Sequence, residues 1–108
     1  MVSMLEIMQG DQYPIEIAVL DDEKRPIDVR LIEAVEVVLD GVRKLYPGEI
    51  TYDSTNRVFD YPLMQEESFA MSDGSKDFQV RVKIDNDWII GKELPTVVVR
   101  ISQSKKEL

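Results

Sequence analysis

Eight consecutive residues, Phe78-Gln79-Val80-Arg81-Val82-Lys83-Ile84-Asp85, limit this chain more than any other stretch. Phe78, Val80, Val82 and Ile84 fall on one face of an extended backbone, and Gln79, Arg81, Lys83 and Asp85 fall on the other. Successive side chains point to opposite faces only on a pleated strand, so four clean repeats at period two predict β-structure. A strand with one apolar face needs a second apolar layer over it, so the fold must supply a cover.

Several other segments repeat the theme. Leu5 and Ile7 share a face in a first strand at 4–8, followed by turn-forming Gln9-Gly10-Asp11-Gln12. Pro14 opens a strand in which Ile15, Ile17 and Val19 alternate with Glu16, and Asp21 to Pro26 form a charged loop. Residues 29–45 carry a helical stripe at Leu31, Val35, Val38, Val42 and Leu45. Their β-branched content argues for strands, and Asp40-Gly41 is a preferred two-residue hairpin turn, so strands are expected at 34–39 and 42–46. Pro47-Gly48 breaks the chain, and a hairpin over 50–52 and 58–61 turns at Asp53-Ser54-Thr55-Asn56.

Pro62 to Phe69 holds good helix formers after a proline, with acids near its start, and predicts a short helical turn that dips Leu63 and Phe69 inward. Residues 72–75 form a loop and Asn86-Asp87 a tight turn. Trp88-Ile89-Ile90 then form a strand ended by Gly91, and Val97, Val99 and Ile101 share the face of a last one. The expectation is an all-β single domain over 1–108 with a polar, frayed tail at 103–108. Two antiparallel sheets of about seven to nine strands would stack as a β-sandwich.

Composition narrows the chemistry. The chain has no cysteine and no histidine, which excludes disulfides, thiolate metal sites and histidine-based catalytic relays. A net charge of −8 argues against nucleic acid as a partner, because that affinity comes from neutralising phosphates. The first 23 residues hold six carboxylates and no Lys or Arg, an acidic face that favours solubility and that can also steer a basic partner. No apolar run approaches the roughly 18–20 residues of a membrane span, and Met1-Val2-Ser3-Met4-Leu5-Glu6 lacks a signal-peptide pattern, which predicts a chain made in the cytoplasm.

Candidate sites are few. Asp85-Asn86-Asp87 resembles the start of a calcium loop, but Ile89 and Ile90 stand where that loop needs an oxygen ligand and a glycine, so a turn is expected. Asp21-Asp22-Glu23 are adjacent and cannot all face one ion. Glu66 and Glu67 are neighbours with no partner carboxylate assigned opposite either, so they serve to start the helix. Trp88, the only tryptophan, is the candidate partner-interface residue or sugar-stacking platform, although a half-buried aromatic beside a hairpin turn is the commoner case, and Tyr13, Tyr46, Tyr52 and Tyr61 are read first as strand residues. No catalytic, cofactor-binding or metal-ligating residue is assigned.

The order of segments adds a resemblance. Gln9-Gly10-Asp11-Gln12-Tyr13, the acidic loop and Pro26-Ile27-Asp28 resemble the opening of phage tail and baseplate modules, with Gln9 where Arg is usual. Val35-Glu36-Val37-Val38-Leu39, Tyr46 to Asp53, Pro62-Leu63-Met64-Gln65-Glu66-Glu67-Ser68-Phe69 and Gln79 to Lys83 are similar to small prophage proteins of Firmicutes. Those are related to the amino-terminal domain of the baseplate upper protein, and Met64 stands where Thr is common. The resemblance spans about residues 5 to 102. It implies an immunoglobulin-like sandwich without catalytic residues or cofactors, a virion structural protein made in the bacterial cytoplasm. Its partners would be other phage structural proteins or further copies of itself, with no nucleic acid and no membrane. The alternative is a carbohydrate-binding sandwich that uses Trp88 and nearby tyrosines.

Overall fold

The computed structural model describes residues 4–85 and 87–108; Met1 to Ser3, read above for a leader, and Asn86 of the expected Asn86-Asp87 turn lie outside the described residues. The described chain is all-β and sandwich-like, with ten strands and one short helix. The strands are β1 (Met4–Met8), β2 (Tyr13–Ile17), β3 (Ile32–Leu39), β4 (Val42–Tyr46) and β5 (Thr51–Asp53). They continue as β6 (Val58–Leu63), β7 (Gly74–Lys76), β8 (Phe78–Ile84), β9 (Ile89–Glu93) and β10 (Thr96–Arg100). The helix α1 runs over Gln65–Ala70.

Three sheets form, in orders β4-β3-β8-β9, β2-β6-β5 and β1-β10-β7, where two were expected. Every pairing is antiparallel except β1 with β10, which run parallel. Two breaks create the third sheet. The Gly10 turn, at φ +92°, swings the chain from β1 to β2 in another sheet, and Leu94-Pro95 does the same between β9 and β10.

Residues 29–45 illustrate how the strand reading wins. Asp40 and Gly41 both have positive φ, 49° and 81°, which is the backbone of a type I′ turn. That turn sets Leu39 opposite Val42, Val37 opposite Lys44 and Val35 opposite Tyr46. Burial then follows period two, with Val35, Val37 and Leu39 fully inside, while Leu31, Val38 and Leu45 of the helical stripe are not. A single 3-10 turn at Val29–Leu31, capped by the Asp28 carboxylate, precedes β3.

Some boundaries differ from expectation. Pro62 and Leu63 stay in β6, because Tyr13 and Pro14 of β2 pair with them, and the helix starts only at Gln65. Leu63 is buried and Phe69 half-buried, its ring packed where a Cβ on Gly10 would lie 2.7 Å from Cζ. The 72–75 loop includes the start of β7, which pairs with β10. Gly91 does not end its strand, since its backbone stays extended opposite Arg81. Ile101 lies beyond β10 and is exposed, so only Val97 and Val99 of that face are buried. The tail at 103–108 has no strand or helix, yet Lys105 Nζ donates to Gln9 Oε1 at 2.6 Å and Leu108 N to Gln65 Oε1 at 3.0 Å.

One apolar core draws on all three sheets, with Ile7, Ile15, Val37, Phe59, Phe78 and Val99 among its members. Inside it lies an unexpected cation. Lys44 occupies an inward position of β4 and is 5% exposed. Its ammonium donates to Glu67 Oε1 at 2.8 Å and to the Pro62 carbonyl, and it lies 4.8 Å from the centre of the Tyr61 ring. Glu67 Oε1 also accepts the Met64 N–H at 2.9 Å at the start of α1. Removing one partner of a buried pair leaves an uncompensated charge, at a cost of about 3 kcal/mol. Glu67→Ala is therefore expected to lose about that much stability in urea unfolding, and Lys44→Met in the same chain to recover part of it; a double variant no more stable than Glu67→Ala alone would contradict this.

Candidate interaction surface

The residues singled out in the sequence fall into two groups, those absorbed by the fold and those left at the surface. The acidic loop is absorbed. Asp21 accepts N–H bonds from Glu23 at 2.8 Å and Arg25 at 3.0 Å, and Arg25 also pairs with Glu23 at 2.6 Å. The Arg25 N–H first, then that of Glu23, holds the Asp21 carboxyl below its usual range. Glu66 and Glu67 part company, Glu66 outward and Glu67 onto Lys44. Asp87 lies 3.7 Å from Lys83. Among the described residues no group of three or more acidic side chains is placed to hold a metal ion.

Three of the four tyrosines serve the core, Tyr61 within it and Tyr46 and Tyr52 half-buried against it. Tyr46 and Tyr52 pack against Phe59 with ring centres 4.9 and 5.0 Å away. Tyr61 is fully buried, donates its hydroxyl to the Val42 carbonyl at 3.1 Å, and has its pKa raised by burial and then by the Glu67 and Glu49 carboxylates. Tyr13 is at the surface, with a pKa raised by partial burial and Asp11.

The two segments that carried the resemblance meet in space. Ser68 Oγ accepts the Gly10 N–H at 2.8 Å and donates to the Asp11 carbonyl at 2.9 Å. Gln9 Nε2 donates to the Met71 carbonyl at 2.8 Å, and Gln12 Oε1 accepts the Gln65 N–H at 3.1 Å. The turn after β1 is thus clamped to α1 by side-chain bonds across more than fifty residues of sequence. Nothing in the residue pattern of either segment alone announces the other.

The outer face of the four-stranded sheet is charged and internally paired. Glu36 lies opposite Arg81, whose guanidinium grips it with two bonds of 2.6 and 2.9 Å, and Arg43 closes on its other side. Lys83 pairs with Glu33 at 3.3 Å. Arg81 first and Arg43 second hold the Glu36 carboxyl down at about 2.

Exposed apolar bulk gathers instead at the β8–β9 hairpin. Trp88 is 63% exposed, Ile89 62% and Ile90 45%. The commoner expectation for Trp88, a half-buried ring beside the turn, does not hold, and Ile89 and Ile90, expected only as strand residues, are exposed with it because their strand lies at a sheet edge. Among the described residues no helix is long and apolar enough to cross a membrane.

No protein family, characterised protein or solved structure matches the chain. Its functional reading therefore rests on its own geometry and on the resemblance above.

Two outcomes test this surface. Because the Glu36 carboxyl ionises at about 2 in the fold against an ordinary 4.5, its stabilisation is complete above about pH 4.5 and is lost as pH falls toward about 2. The stability gap between the native chain and Glu36→Gln should shrink across that window, and a carboxyl resonance titrating near 4.5 would refute it. Trp88, as the sole tryptophan, should be reached by acrylamide far more readily than a buried indole; an emission that acrylamide leaves unquenched would contradict its exposure.

Proposed function

We propose that this chain is a non-enzymatic structural module of a phage or prophage virion, a tail or baseplate piece that assembles through protein–protein contacts. The observation that carries the reading is the mutual clamp of the two resembling segments, Gln9 to Gln12 on Gln65 to Ser68. It gives both segments a reason to occur together in one module. The apolar surface at Trp88, Ile89 and Ile90 adds the kind of patch that a contact protein presents. Its acidic balance suits a basic partner surface.

Exposure of Trp88 also favours a second reading, a carbohydrate-binding module with that ring as its platform. The tyrosines add little to it, since Tyr61 lies within the core and Tyr46 and Tyr52 pack against it.

Purified particles from an induced prophage decide between them. The assembly reading expects the chain in stoichiometric amounts in tail or baseplate fractions. Particles that lack it, together with saturable glycan binding abolished by Trp88→Ala, would favour the carbohydrate module.

A further inference from the structure

The four-stranded sheet ends at β9, and that edge differs from the others. The terminal strands β5 and β7 have three residues each, β2 contains Pro14, β4 carries Arg43, and β1 has Glu6 tied to Arg100 at 3.2 Å. Those are devices that discourage a further strand. β9 has five residues, all exposed, with no proline; the charged Lys92 and Glu93 end it, and the apolar Ile89 and Ile90 lead it, so its first half carries none of these devices.

Its free backbone groups can be assigned. Ile84 N donates to the Trp88 carbonyl at 3.0 Å and Leu94 N to the Phe78 carbonyl at 2.9 Å, so the closely bonded pairs of this antiparallel ladder are 84 with 88 and 78 with 94. Alternation makes 82 with 90 and 80 with 92 the bonded pairs between them. The N–H and C=O groups of Ile89, Gly91 and Glu93 therefore point away from β8, toward the open edge. Beneath that edge the sandwich seam stays open. A groove of about 190 Å³ runs between Leu20 and Ile27 on one wall and Val80, Val82 and Ile90 on the other, with Lys92 at its rim.

We propose that β9 accepts an extended, basic segment of a partner protein as a fifth strand, with alternate apolar side chains entering the groove. This deepens the assembly reading and rests on it. The occupant follows from charge. On the outer row of β9, Arg81 and Lys83 beside it are already paired, with Glu36 and with Glu33 and Asp87. Glu93 has only the Gln79 amide, at 3.2 Å, as its side-chain partner among the described residues. An added strand puts its own outer row against Glu93, and a cation there completes the pair. The net charge of −8 acts in the same direction at longer range.

A second copy of the chain fits poorly. Two-fold antiparallel pairing of β9 with itself about Gly91 sets Ile89 against Glu93 and Ile90 against Lys92. Pairing about Ile90 sets Asp87 against Glu93, and pairing about Lys92 stacks that ammonium on its own copy. Each of these registers places a charge against an apolar residue or a like charge; pairing about Ile89 instead matches Ile89 with its own copy and Trp88 with Ile90, and there the net charge of −8 on each chain opposes association.

The test uses the whole chain and a synthetic peptide of alternating lysine and valine, about eight residues long. Two further peptides serve as controls, one with serine in place of valine and one with glutamate in place of lysine. The lysine–valine peptide should bind saturably, at least about tenfold tighter than either control, and slow amide exchange at Ile89, Gly91 and Glu93. Gly91→Pro removes one outward N–H without touching a bond to β8, and a Cβ there meets Arg81 Cγ at 3.5 Å and the Val80 carbonyl oxygen at 3.8 Å, both ordinary contacts. It should abolish binding, while Gly91→Ala retains it. Glu93→Lys, an exposed change, should shift preference toward the glutamate–valine peptide.

Equal binding of the lysine–serine peptide, binding unaffected by Gly91→Pro, or protection of those amides by self-association would each overturn the proposal. The two readings fail separately. If purified virions contain the chain but these three amides exchange freely there, the edge proposal falls and the assembly role stands. If the peptide docks at β9 but particles lack the chain, the edge proposal survives and the virion role falls.

Discussion

Everything in the sandwich closes around one buried ammonium. Lys44 reaches inward from β4 and joins three pieces that share no strand pairing: its own sheet, the end of β6 through the Pro62 carbonyl, and α1 through Glu67. A six-residue helix has too few internal bonds to persist alone, so tertiary ties must hold it. Lys44 supplies one and the Ser68 clamp supplies the other. Among the described residues no buried side-chain nitrogen or oxygen lacks a partner, so the polar groups inside the core are all satisfied. The arrangement orients more than it stabilises. Apolar replacements of similar volume would fill the space without fixing where α1 sits on the sheet.

Period-two alternation made much of the fold legible. Val80 and Val82 were readable as inward from sequence spacing, and Asp40-Gly41 gave the β3–β4 register. That register already contained the surprise, because a two-residue turn after Leu39 puts Lys44 on the same face as Val42 and Tyr46. What stayed hidden was long-range. No local pattern states that β1 pairs in parallel with β10, some ninety residues away, or that Pro62 finds a partner in Pro14 and so remains in a strand. Gly91 misled for a related reason. A glycine in an edge strand reads as a break, yet here the ladder continues, with Gly91 opposite Arg81. Of the candidate surface, Trp88 was legible as a lone tryptophan beside a turn. Its neighbours Ile89 and Ile90 looked like core until the sheet order put their strand at an edge.

The charged residues divide along the same lines. Those of the sheet's outer face answer one another across strands, with Glu36 between two arginines and Lys83 between two acids. A face that neutralises itself neither attracts a particular partner strongly nor exposes apolar area, so it is a poor site of recognition. The acids of the first loop likewise fold back on Arg25. Much of the excess negative charge is thus dispersed over the surface and acts at a distance rather than as a pocket.

Why β9 is left bare follows from counting strands in the two facing layers. The sheet β2-β6-β5 has three strands and the sheet opposite has four. Contacts across the seam join the two: Tyr46 of β4 meets Phe59 of β6, and Tyr61 of β6 meets Phe78 of β8 at 6.5 Å. β9 ends the larger sheet on the side away from β4. The groove under Ile90 is walled on its other side by Ala18, Val19, Leu20 and Ile27. A domain with no use for such an edge would bury it, charge it or interrupt it, as this chain does at its other edges and, with Lys92 and Glu93, in the second half of β9. Retaining a flat, apolar, uncharged start to β9 beside a half-covered seam is therefore consistent with a surface that another chain completes.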